Sequence, residues 1–325
     1  MIISIVNHSN GQVTDEELQF VVRAINRQIH EDFEPYWSLS ATLRLEGRSV
    51  DQPDAEQVAD LRGDAVIYLW DHADVPGALG YHYQNNRGIP YGFVFTDIAQ
   101  QIGEPWSVTL SHEALELVGD CETNILVMGP HPTEDRMVFH WYEMCDAVQA
   151  ETYEIDGIAV SNFLLPLYFT GTRDVDEVGA RNDFLGRSYG AQTLQSFGIN
   201  PGGYIGFFDP ELGDHDTYSI KGDAIAEMRL AIKSQASFAR RSIRYRTFEK
   251  RENIEERLEK RAPVLRKTAH KVTALAHGRV YASAGSAART SVKSVVAGSL
   301  TNGRRSTAAS KVAKRRPAAK AAAAK

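Results

Sequence analysis

Apolar positions in the first half of the chain recur with two different periods, and the period changes where capping or turn residues stand. Ile2 to Val6 is a short apolar run that predicts a strand. Thr14 then opens a helix through a capping box, Thr14-x-x-Glu17, whose hydroxyl and carboxylate satisfy each other's orphan backbone donors. Leu18, Val21, Val22, Ile25 and Ile29 follow at helical spacing, and Pro35 is expected to close the helix. Strand-like segments come next, at residues 39–45, 65–70 and 91–95, with residues 81–83 as an additional candidate. A helix is expected from about Ser107 to Val118.

After that helix the pattern returns to strands. Residues 152–155 and 158–163 bracket Asp156-Gly157, a pair suited to a type I′ hairpin. Residues 164–169 are expected to extend the sheet, and residues 201–218 hold apolar runs broken by Gly202-Gly203 and Asp209-Pro210. From Asp223 to about Arg261 the pattern is helical again, and Pro263 ends it. The reading is an α+β protein with three parts: an acidic folded domain over residues 1–222, a basic helix over 223–261 and a disordered tail over 262–325.

Charge sharpens that division. Residues 1–239 carry 13 basic against 37 acidic side chains, net −24, and residues 240–325 carry 23 against 5, net +18, so the overall −6 is a cancellation. From Ala262 onward there are 14 basic residues and no acidic one, among Ala, Ser, Thr and Gly, a composition too poor in apolar surface to offset chain entropy. No run approaches the roughly 18 apolar residues of a membrane span. The first ten residues lack the basic n-region of a secretory signal, so a cytosolic location is expected, and Cys121 and Cys145 are read as reduced thiols.

The segment from Ser107 to Glu122 carries the most chemistry. At 100° per residue, with His112 at the origin, Glu116 falls at about 40°, Glu113 at about 100° and Gly119 at about −20°, all on one helix face. Leu110, Ala114 and Leu117 occupy the other side and read as core. Side chains at i and i+4 can reach one cation, and Glu113 between them is placed to act on a water.

The run His112-Glu113-Ala-Leu-Glu116 resembles HExxH, the active-site helix motif of the zincin metallopeptidases, with Glu116 at the position of the second histidine. The order of elements before it, strand, helix, several strands, helix, is similar to the first half of the zincin fold. This resemblance covers about residues 1–122 in architecture and five residues in motif. It implies a zincin-like mixed sheet with an active-site helix, His112 and Glu116 as ligands of Zn2+ or another divalent metal, Glu113 as general base, and a peptide or protein substrate. Three residues compete to be the third ligand. Glu122 stands at +10 from His112, which resembles the long metzincin motif; Asp120 lies one turn past Glu116; Glu143 resembles the distant glutamate of gluzincins. Glu143 is favoured over Asp120 and Asp120 over Glu122, because a short acidic cluster on an otherwise apolar strand is expensive to bury without a cation.

Other motifs have plainer readings. Asp71-His72-x-Asp74 reads as a strand-to-loop turn, Asp214-His215-Asp216 as a hairpin turn, and Gly186-Arg-Ser188-Tyr-Gly190 as a glycine-rich loop, because the segment before Ser188 is too polar for a nucleophile elbow. Tyr81, His82 and Tyr83 stand where a zincin's substrate-lining strands would be, and their aromatic rings read as packing. The tail, with Arg304, Arg305, Lys311, Lys314, Arg315 and Arg316, resembles the Lys/Ala/Pro tails of linker-histone-like and bacterial nucleoid proteins. Such a tail is expected to hold DNA or another polyanion through counterion release, with the protein's own acidic domain as a competing partner and no membrane anchor. The leading expectation is a metal-dependent hydrolase tethered by this tail to nucleic acid, with nucleoid association. The alternative is a non-catalytic DNA- or particle-associated structural protein on a degenerate metallopeptidase-like fold.

Overall fold

The computed structural model describes residues 1–74, 78–170, 181–229 and 231. These lie in the first of the two units, Met1–Phe248 and Glu249–Lys325, into which the chain divides. The architecture is α+β. The expected basic tail, with Arg304, Arg305, Lys311, Lys314, Arg315 and Arg316, lies outside the described residues, as does all but the start of the basic helix.

Strand β1 (Ile2–His8) leads into helix α1 (Asp15–Arg27), which begins with the capping box read from the sequence: Thr14 accepts from the Glu17 N–H, and the Glu17 carboxylate accepts from the Thr14 N–H. The helical path does not stop at Pro35. It widens into a π-helical turn (Gln28–Phe33) and continues as a short helix α2 (Glu34–Trp37) with Pro35 in its first turn, where a missing N–H costs no hydrogen bond. Strands β2 (Thr42–Glu46), β3 (Ala65–Trp70), β4 (Gly80–Gln84) and β5 (Pro90–Phe95) complete a five-stranded sheet of order β2-β1-β3-β5-β4. The β1–β2, β1–β3 and β3–β5 pairs are parallel; β4 runs antiparallel to β5 along one edge.

The central strand β3 is buried on both faces, which explains its continuous apolar run. Ala65, Ile67 and Leu69 join Leu18, Ile25 and Ile29 of the α1 region and Leu110, Ala114 and Leu117 in the main core. Val66 and Tyr68 face the other way, into a cluster with Tyr81, Tyr91, Phe93 and Phe95. Helix α3 (Thr96–Ile102) is followed by α4 (Trp106–Gly119). A buried relay ties this long helix to its neighbours: Ser111 Oγ donates to Gln28 Oε1 (2.7 Å) and accepts from the Ser161 N–H (3.0 Å), while Gln28 Nε2 donates to the Ser161 carbonyl (2.8 Å).

Strands β6 (Leu126–Pro130) and β7 (Met137–Trp141) were not anticipated as a pair, because apolar residues such as Met128 and Met137 stand at exposed positions as well as buried ones. Glu143 follows β7 rather than standing within it. Strands β8 (Thr152–Ile155) and β9 (Ile158–Ser161) form the expected hairpin, with Asp156 and Gly157 both at positive φ (53° and 78°). Residues 164–169 do not extend the sheet. Leu164 makes one isolated bridge to Asp183, and Pro166–Phe169 coil into a 3-10 turn, since Pro166 cannot donate to a ladder.

Strands β10 (Ser188–Tyr189) and β11 (Gln192–Thr193) make a small hairpin within the glycine-rich segment, so Ser188 is exposed on a ladder and not on an elbow. Strands β12 (Tyr204–Asp209) and β13 (Asp214–Ser219) pair in an antiparallel sheet of order β13-β12-β7-β6. Asp214, His215 and Asp216 therefore begin a strand; the turn lies just before them, where the Asp209 carboxylate accepts from the Glu211 and Leu212 N–H groups. Residues 224–229 are helical, and Arg229 is buried, its guanidinium forked onto Glu104 and donating to the Gln149 carbonyl (2.7 Å). The folded domain thus takes in part of the segment expected to form a separate basic helix.

Buried His140 on β7 donates from Nε2 to the Pro130 carbonyl (2.8 Å), and its Nδ1 has no hydrogen-bond partner among the described residues. Burial lowers its pKa, because protonation would place a charge and a second N–H in an apolar setting. The contribution of His140 to stability is complete above the ordinary histidine range and is lost as pH falls below it toward the lowered folded value. Melting temperatures measured between pH 7.5 and 5 are expected to fall more steeply for the wild type than for His140→Phe; equal slopes would contradict this assignment.

Candidate metal centre

Helix α4 positions the residues singled out by the sequence. Its side chains from Ser107 to Val118 are all buried, so the polar face that carries His112, Glu113 and Glu116 is enclosed by protein. Glu116 is 0% exposed and Glu113 3%. The opposite face, with Leu110, Ala114 and Leu117, packs into the main core as its spacing predicted.

Four further residues meet this face. His82 reaches it from the edge strand β4, with Nδ1 3.1 Å from Glu113 Oε2 and 3.6 Å from Glu116 Oε2. Its Nε2 lies 3.9 Å from Glu143 Oε2. On the other side, His112 Nε2 stands 3.1 Å from Glu116 Oε1 and 3.2 Å from Asp146 Oδ1. Cys145 contributes its backbone N–H to Glu116 Oε1 (3.2 Å) and its buried thiol to the His112 carbonyl (3.9 Å). Two groups have ligand atoms mutually within 4.8 Å: His112, Glu116 and Cys145, and His82, Glu116 and Glu143.

Electrostatics follow from this crowding. Burial alone would lower the His112 pKa, but the Glu116 charge, the hydrogen bonds with Asp146 and Glu116, and Glu113 outweigh it and push it up to about 10. Burial raises the Cys145 thiol well above its usual range, with the nearby carboxylates adding to the effect.

Of the third-ligand candidates, Glu143 belongs to the cluster. Asp120 is buried at the end of α4, where its Oδ2 accepts the Ile125 N–H (2.8 Å) and holds the turn into β6. Glu122 is exposed and accepts from Asn124 (2.9 Å). Asp146, three residues after Glu143, stands in the sequence as one of several acids around the motif, and no spacing singles it out. His82 had a clearer signal: in Tyr81-His82-Tyr83 the period of two sends both tyrosines to the aromatic cluster and the imidazole to the helix side.

Two glycines leave room beside this cluster, Gly80 for the Phe93 backbone and Glu113, and Gly119 for the Met144 side chain. A Cβ at Gly80 would lie 2.8 Å from the Phe93 carbonyl oxygen and 2.9 Å from Glu113 Oε1, so strand β4 can run beside Glu113 only with glycine there. A Cβ at Gly119 would fall 2.2 Å from Met144 Cε. Two small cavities adjoin the cluster. One, with about 20 Å³ of room for water, is lined by Gly80, Glu104, Thr109, His112, Glu113 and Arg229; the other, with about 10 Å³, is lined by His140, Glu143, Asp146 and Tyr168 among others. Glu113 lines the first of them, and Glu116 lines neither.

No family model matches the chain, and no curated protein or solved structure matches it. The residues themselves therefore carry the functional reading.

Gly119→Ala is expected to lower stability by about 1–3 kcal/mol, the usual cost of forcing an extra methyl into a packed interior. The check is the denaturant midpoint, with Gly47→Ala as control because a Cβ there meets nothing within 4 Å.

Proposed function

We propose that the protein is a metal-dependent hydrolase, zincin-like in fold, that acts on peptide bonds with Glu113 as general base. One observation carries the reading: His82, His112, Glu113, Glu116, Glu143 and Asp146 converge in a single buried cluster, with Glu113 at the wall of a small cavity. Four carboxylates against two imidazoles leave an excess of negative charge even with both rings protonated, and such an excess is costly to bury without a compensating cation. The donor set fits a divalent metal. Glu116 Oε2 is buried and accepts no hydrogen bond among the described residues, and the imidazole and carboxylate donors suit zinc. The mixed sheet with an antiparallel edge strand beside α4 adds support for the likeness in fold.

His112, Glu116 and Cys145 would hold the cation, with Asp146 3.2 Å from His112 Nε2 beside them. When bound, it would supply Lewis-acid polarisation of a scissile carbonyl. The protein's own contributions follow from the geometry. Glu113, which lines the same small cavity as His112, takes a proton from the attacking water and returns it to the leaving nitrogen. His82, 3.1 Å from Glu113 Oε2, fixes the rotamer of that carboxylate. Enclosure by β4 and α4 limits bulk water and strengthens each charge interaction.

Glu113→Gln preserves shape and removes the base. It is expected to cut hydrolysis of an unstructured protein substrate by about 10²-fold or more while metal content stays unchanged, measured by turnover beside elemental analysis. Purified protein without bound metal, whose melting temperature does not respond to chelator or to added zinc, would end the hydrolase reading and leave the non-catalytic alternative.

The tail supplies the second part of the proposal, tethering to DNA or another polyanion. Its support is the run of 14 basic residues without an acid. Deleting residues 263–325 is expected to abolish retention on DNA at low salt and to remove a steep salt dependence, with the melting temperature of the folded domain unchanged within about two degrees. DNA binding that survives the deletion would overturn it.

A further inference from the structure

Glu116 faces two separate donor sets with its two oxygens. Oε1 lies 3.1 Å from His112 Nε2, and that nitrogen is 3.2 Å from Asp146 Oδ1. Oε2 lies 3.6 Å from His82 Nδ1, and the other nitrogen of that ring is 3.9 Å from Glu143 Oε2. The two halves are alike in composition. Each offers one imidazole and one carboxylate of its own and shares the carboxylate of Glu116.

We propose that the site holds two divalent cations bridged by the Glu116 carboxylate, one on His112 and Asp146 and the other on His82 and Glu143. The inference deepens the hydrolase reading and rests on it. Several observations support a pair over a single ion. Glu116 is wholly buried, yet Oε2 accepts no hydrogen bond among the described residues, a cost that a second cation at that oxygen would remove. Oε1 accepts the Cys145 N–H and keeps a lone pair for a metal. His82 enters from the edge strand β4 and forms with Glu116 and Glu143 a second donor group beside that of His112, sharing Glu116 with it.

Charge agrees with this count. A ligating imidazole is neutral, so Glu113, Glu116, Glu143 and Asp146 would balance two dications. The short span of a bridging carboxylate suits the separation of about 3.5–4 Å common to two-metal hydrolytic sites. The Cys145 thiol, within 4.8 Å of the His112 and Glu116 ligand atoms, stands as a further donor on the His112 side.

The test uses the full-length chain, stripped with chelator and dialysed against zinc, with metal measured against protein. Two equivalents are expected for the wild type, and one each for His82→Ala and His112→Ala, with circular dichroism unchanged. One equivalent in the wild type, lost in His112→Ala and kept in His82→Ala, would overturn the two-ion site and leave the hydrolase reading standing. No bound zinc would overturn both. Loading the wild type with Mn2+ gives a readout that needs no variant: exchange-coupled resonance at two equivalents supports the proposal, and an isolated-ion spectrum at two equivalents overturns it.

Discussion

The burial of ionisable side chains along α4 is the constraint around which the rest of the fold is arranged. Twelve of its fourteen residues are buried, His112, Glu113 and Glu116 among them, so each of those groups must meet a partner that the protein supplies. An unpaired ion at such depth costs several kcal/mol even after relaxation. The protein answers with side chains drawn from far along the chain: His82 from the edge of the sheet, Glu143 after β7, and Asp146 in a 3-10 turn. These elements have to be in register with the helix before any of the charges is tolerable. The Gln28–Ser111–Ser161 relay serves that register, because it fixes α4 against both the π-helical turn and the β8–β9 hairpin.

Seen this way, the π-helical turn has a purpose in the packing. One extra residue in a helical turn redirects the side chains that follow, and here Gln28 stands at its start, fully buried and engaged at both ends of its amide. Among the side chains redirected beyond it, Phe33 packs against Trp37 and Phe163 in the core.

Much of the first half was legible because its signals are local. The capping box at Thr14, the twice-buried strand Ala65–Trp70 and the Asp156-Gly157 hairpin are each decided within a few residues. The face of α4 was legible for the same reason, since His112, Glu113 and Glu116 are separated by one helical turn. What completes that face was not. His82 lies 30 residues before His112 and Asp146 lies 34 after it, and no periodicity connects residues joined only by strand order and a 3-10 turn. Strands β6 and β7 escaped for a different cause: Met128 and Met137 are exposed while Val138 is buried, so hydrophobicity does not report which side faces inward. Pro35 misled because its effect depends on position, breaking a helix interior and fitting a first turn.

The ion pair of Arg229 with Glu104 bears on where the folded domain ends. The helical pattern beginning at Asp223 suggested a boundary at residue 222, before the basic helix. Yet Arg229, 5% exposed, lines the same cavity as Glu113 and is the cation that balances buried Glu104. A fragment cut at residue 222 would leave that carboxylate enclosed without its partner, a loss on the order of 3–5 kcal/mol, and would remove one wall of the cavity. Limited proteolysis should therefore spare the stretch through residue 231, and the acid-free segment begins only after the chain has closed the cavity of its own domain.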